Sequence, residues 1–305
     1  MSARSSTSFG VILSFLFVGC GGAASEPRET TPAREVAEIR PRLVRVSDAD
    51  TTVYLFGTVH LLEPSTAWMN DEISGALSSS RAVYFEVPTE PEALAPHMPL
   101  LQSLALNPPG VTLSSLLPPD ARSRAEAAAT ASNVPFAQLE PMRPWLAAIT
   151  LSMTRLVARG ADPEAGVDRV IAARAREAGQ EVRYLEDIPT QLHAIGDLPT
   201  DVQVELFVQS LDDIEESDAH FDEMVSAWQR GDTRHLEHEL VDEMRTEAPA
   251  LYDSMLVRRN RAWVEVLTTL MANEPGTFFV AAGAAHFVGP DAVQVGLAQH
   301  GLTVQ

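Results

Sequence analysis

Val53-Tyr-Leu-Phe-Gly-Thr-Val-His60 is an apolar run rich in aromatic and β-branched residues, and it stops at Gly57-x-x-His60. Far downstream, Thr277-Phe-Phe-Val-Ala-Ala-Gly-Ala-Ala-His286 repeats the arrangement, an apolar run followed by Gly283-x-x-His286. Short runs of this kind read as strands. Glycine at a strand end lets the backbone turn sharply or approach another group closely, and histidine is the common acid–base group and neutral metal ligand near pH 7. Two strand ends so alike are expected to come together in the fold.

Working outward, Leu43-Val-Arg-Val-Ser47 alternates like a strand, Asp48-Ala-Asp50 reads as a turn, and 53–56 reads as the hairpin partner. Ala82-Val-Tyr-Phe-Glu-Val87 is a further run, stopped by Pro88, with Glu86 near its end; Glu181-Val-Arg-Tyr-Leu185 is another, ending in Glu186-Asp187. Helices are expected over 68–77 with Ser65 as N-cap, and over 118–132, 144–159 and 163–178. Residues 200–273 read as almost wholly helical, with breaks near Gly231 and Pro249, and 294–300 and 302–304 as a last helix and strand. The fold expected is α/β, a mixed central sheet flanked by helices, with an acidic helical cap at about 200–273 inserted before the last strands. In such sheets ligands sit beyond the carboxyl ends of the strands, where His60, Glu86, Glu186 and His286 all fall.

The chain has 305 residues, 45% of them hydrophobic, enough for one large domain, expected over 43–305. Its formal charge of −20 argues against nucleic acid and anionic head groups and favours cationic or neutral partners. At the N-terminus, Phe9-Gly-Val-Ile-Leu-Ser-Phe-Leu-Phe-Val18 is too short to span a bilayer and stops at Gly19-Cys20-Gly21-Gly22. This resembles a bacterial lipoprotein signal, with 1–19 removed, Cys20 lipidated and 20–42 a flexible tether; Phe17 stands where such signals usually have Leu, and an ordinary secretory signal is the alternative. Either way the protein is expected to be exported, as a cell-envelope lipoprotein in the first case. Cys20 is the single cysteine, so the body contains no disulfide and rests on packing.

Two imidazoles and one carboxylate make a reasonable site for Zn, Mn, Co or Fe with positions left open for water and substrate. A metal there activates water for hydrolysis without a serine or cysteine nucleophile. The alternatives stay open on spacing alone: His60 and His286 as separate hydrogen-bonded strand-end residues, and Glu86 as the partner of an arginine, since a buried carboxylate needs one. Glu186 reads better as holding an arginine or capping the next helix. His235-x-x-His238 shares one helix face but lies in a strongly polar segment, which favours a solvated surface. The Arg258-Arg259-Asn260-Arg261 cluster either binds a substrate carboxylate or oxyanion or neutralises nearby acids.

With Leu55-Phe-Gly-Thr-Val-His60, Tyr84-Phe-Glu86, Gly166-Val-Asp168, Leu185-Glu186 with Gln191, Arg259-Asn260 and Gly283-Ala-Ala-His286-Phe-Val-Gly289 in that order, the chain resembles the TraB/PrgY/GumN family, which includes the TIKI metalloproteases. The resemblance implies an α/β fold similar to haem-uptake and erythromycin-esterase-like proteins. It implies a divalent-metal-dependent peptidase acting on a peptide or protein, with Mn, Co or Zn held by His60, Glu86 and His286. Glu86 would be a ligand or the general base, Arg259 and Asn260 substrate or transition-state contacts, and Asp168 and Glu186 groups supporting the ligands. The pheromone-limiting and haem-uptake relatives imply the competing role, capture of a peptide or haem-like ligand without chemistry.

Overall fold

The computed structural model describes residues 39–216 and 218–305; the expected signal segment 1–19, Cys20 and most of the 20–42 tether lie outside the described residues. Strands β1 (Leu43–Ser47) and β2 (Thr51–Thr58) form the hairpin. The Asp48 carboxylate closes its turn by accepting from the Asp50 and Thr51 N–H groups at 3.1 and 2.8 Å. With β3 (Ala82–Phe85), β4 (Glu181–Tyr184), β5 (Gly276–Gly283) and β6 (Thr303–Val304) they make one six-stranded sheet in the order β4-β3-β5-β2-β1-β6. β2, β5, β3 and β4 run parallel, while β1 is antiparallel to both β2 and β6. The expected mixed sheet is therefore present, and its four parallel strands deliver their carboxyl ends to one edge.

Burial explains why β5 reads as continuously apolar. Phe278, Val280 and Ala282 face one hydrophobic cluster and Phe279 and Ala281 the other, because both sides of a central strand are covered. The first face packs on Trp263, Leu267 and Leu270 of a helix at Arg258–Asn273. On the second, Phe56 stacks on Trp68 at 5.8 Å and packs against Phe279 and Trp228.

In chain order the principal helices are α1 (Asp71–Ser79), α2 (Met98–Ala105), α3 (Pro119–Ala131), α4 (Pro144–Ala158), α5 (Val167–Glu177), α6 (Ile188–Gly196), α7 (Thr200–Glu216), α8 (Asp218–Gln229), α9 (Arg258–Asn273) and α10 (Val293–Gln299). Helix α1 starts at Asp71 and not after Ser65: Asn70 is its cap, accepting from the Ile73 N–H at 2.9 Å, with Asp71 and Glu72 at the positive end of the helix dipole. The helix expected over 163–178 is divided at Gly166 into a 3₁₀ turn (Pro163–Ala165) and α5.

α7 packs on α4 and α3, so helices between β3 and β4 join those before β5 in one layer. Two π-helical turns, His238–Asp242 and Asp253–Val257, interrupt the 233–273 stretch, and the second leads directly into α9. Trp228 of α8 ties the cap to the sheet: its indole N–H donates to the Gly57 carbonyl at 2.8 Å. Ahead of Leu43, the Arg40 N–H donates to the Gln229 carbonyl at 2.7 Å and Asn70 donates to the Ile39 carbonyl. Among the described residues no helix is long and apolar enough to cross a membrane.

Candidate functional site

The register pairs Thr58 with Gly283, so the two G-x-x-H segments leave the sheet side by side. Glycine at 57 makes this possible: a Cβ there would stand 2.9 Å from the Ala284 Cα. Glu86 follows Phe85, the last residue of β3, which pairs with Tyr184, and Glu186 comes two positions after Tyr184. Residues separated by up to 226 positions in sequence, from His60 to His286, thus gather at one edge.

His60 and Asp168 form the exposed side of this gathering. His60 Nδ1 lies 2.6 Å from Asp168 Oδ1, with 12% and 16% of the two side chains exposed. Gly166 brings Asp168 there: a Cβ on it would fall 2.2 Å from the His60 carbonyl oxygen, and the next N–H, of Val167, donates to the Val59 carbonyl at 2.9 Å. Burial opposes the imidazolium, but the charge and hydrogen bond of Asp168, helped by Glu86, outweigh it and raise the His60 pKa above 6.5. Gly166→Ala is expected to push α5 off the His60 loop, lowering stability by about 1–3 kcal/mol, as overpacking does. The check is urea unfolding of the variant; an unchanged midpoint would show that α5 is not held to this loop.

Glu86, Arg259 and His286 form the buried side, each no more than 7% exposed. Glu86 Oε1 accepts from the Gly283 N–H at 2.7 Å, while Oε2 accepts from Arg259 Nη2 at 2.6 Å and Gln191 Nε2 at 3.0 Å. Glu186 takes Arg259 Nε and Nη2 at 2.9 and 2.6 Å and the Trp263 indole N–H at 3.1 Å. Asn260 donates Nδ2 to the Asp291 carbonyl, which turns its Oδ1 toward His286 Nδ1. The imidazole therefore carries its proton on Nδ1, and its Nε2 accepts from Arg259 Nη1 at 3.2 Å. The His286 ring also packs on Trp263, centroids 4.2 Å apart, and the Arg259 guanidinium lies over the same indole.

These contacts separate the titrations. Burial pushes the Glu86 carboxyl up, but Arg259, with His286 and His60, overcomes it and holds the group at about 2. Burial, then the Arg259 charge, drive His286 down to about 3, so it is neutral at physiological pH. Glu186 is pushed up, chiefly by burial and against the pull of Arg259.

The three expected metal ligands meet, but their electron pairs do not face an open space. Both oxygens of Glu86 and the Nε2 of His286 accept hydrogen bonds, and a guanidinium lies between them. Among the described residues no three His, Cys, Asp or Glu side chains are arranged to hold a metal ion. This donor set, as it stands, suits a guanidinium and not a divalent cation. The alternatives raised for Glu86 and Glu186, pairing with an arginine, are what the geometry shows.

A pocket opens beside the site, lined by His60, Glu86, Asp168, Arg169, Arg176 and Gln191, with apolar walls from Phe85, Val87 and Val182. His235 and His238 are elsewhere, on the cap, where His238 is exposed and the neighbouring Glu239 pairs with His220 at 3.0 Å. Trp263, which supports both His286 and Glu186, escaped the sequence reading; its one signal was a large apolar residue four positions after Arg259 on the same helical face.

The model of the TraB/PrgY/gumN family matches residues 43–305. The chain belongs to that family. Comparisons with curated proteins and with solved structures return no match. The TraB/PrgY/gumN match covers the whole sheet and both G-x-x-H strand ends.

Proposed function

We propose that this TraB/PrgY/gumN protein is a cell-envelope hydrolase, acting on a peptide bond, in which His60 is the general base. The observation that carries the reading is the 2.6 Å contact between His60 and Asp168 at the wall of the pocket. Asp168 would accept the Nδ1 proton of neutral His60 and fix the ring, so that Nε2 is the basic nitrogen that takes a proton from water as it attacks a carbonyl. Glu86, held at about 2, is too weak a base for that task, and His286 spends its electron pair on Arg259. Arg169 lines the same pocket and would add positive charge near the oxyanion that develops. The family resemblance favours an amide substrate, and the apolar run before Cys20 supports export and attachment through a lipid on that residue.

The test is a multiple-turnover assay of the full chain, in mild detergent, against a peptide library. Cleaved product is expected to accumulate beyond one equivalent of protein. Ligand that saturates at one equivalent with no product would replace this reading with capture.

A further inference from the structure

Arg259 has five N–H donors, and every one of them has an acceptor. Nε donates to Glu186, Nη1 to the Met255 carbonyl and to His286 Nε2, and Nη2 to Glu86 and Glu186. The side chain is 3% exposed. The groups around it are positioned as firmly as it is: Glu86 by the Gly283 N–H and Gln191, His286 by Asn260, Glu186 by Trp263. Such a cage matches a planar fork of donors and would have to be taken apart to coordinate a sphere. A divalent ion bound by Glu86 and His286 would strip Arg259 of two acceptors and leave two cations side by side in a dry interior.

We infer that Arg259 is the resident cation of this site, standing where a divalent ion would have to sit, so that the chain takes no divalent metal between Glu86 and His286. Arg259 is a positioning residue. It neutralises Glu86 and Glu186, holds His286 in one tautomer, and joins α9 to the ends of β3, β4 and β5. The inference concerns binding and does not depend on whether the pocket hydrolyses a peptide.

The experiment adds Co²⁺, Mn²⁺ or Zn²⁺, each alone, to the full chain after chelation, and reads bound metal and the thermal unfolding midpoint. A site filled at about 100 times its Kd would raise the midpoint by several degrees. The expected result is no such rise, no fall on adding EDTA to the untreated protein, and the same bound metal in wild type and in the His60→Ala/His286→Ala double variant. One equivalent that survives in the double variant lies elsewhere and leaves the inference standing. One equivalent present in wild type and lost in the double variant and in the single His286→Gln variant would overturn it; should the double variant fail to fold, loss of that equivalent in His286→Gln alone would do so.

Discussion

Arg259→Met is expected to destabilise the protein by about 3–5 kcal/mol at pH 7, the cost of leaving buried charge without its partner. Methionine fills much of the same volume, so loss of packing is the smaller part. Glu86 and Glu186, 9% and 5% exposed at the side chain, would face each other across an apolar gap. The effect has a pH signature. In wild type, Glu86 sits near 2 instead of 4.5, so it contributes stability above the ordinary value that is lost as pH falls toward 2. Without Arg259 burial dominates, both carboxyl groups rise, and the variant regains part of its deficit as pH is lowered and they take up protons. Urea unfolding at pH 5 and pH 7.5 reads the difference. Equal stability of variant and wild type at pH 7.5 would mean that the Glu86–Arg259–Glu186 group does not hold these strand ends.

The second large effect is on turnover. His60→Ala is expected to lower kcat/KM by about 10²–10⁴, the usual share of a general base, with the unfolding midpoint near that of wild type. The side chain lies at the pocket wall, with 12% of it exposed. Because a base must be unprotonated and the His60 pKa is raised, kcat/KM in wild type should fall as pH drops through a value above 6.5. Asp168→Asn removes the main group that raises it. The fall should then move to lower pH, and the plateau should drop because the tautomer is no longer fixed. A pH profile unmoved by Asp168→Asn would remove His60 from the role.

Much of this architecture was legible from residue order. The alternation of Leu43-Val-Arg-Val-Ser47, the two apolar runs ending in G-x-x-H, and the carboxylates closing two other runs are local patterns, and strand periodicity with a glycine terminus expresses local sterics. The first cap was misplaced because Ser65 and Asn70 are both good caps, and the choice between them turns on where Ile73 is buried.

Residue order placed the strands and set His60, Glu86, Glu186 and His286 at or near their carboxyl ends, and it left open whether the two histidines share a site. Tertiary structure alone decided what lies among them. A buried carboxylate and an imidazole electron pair are satisfied equally well by a metal or by a guanidinium, and nothing near Glu86 in the chain says which. In the fold the guanidinium that reaches them is that of Arg259, which follows the π-helical turn at Asp253–Val257 and lies over Trp263, so that its fork meets three strand ends at once. The different surroundings of the two histidines follow from the same packing: Gly166 admits Asp168 to His60, while Asn260 and Arg259 close around His286.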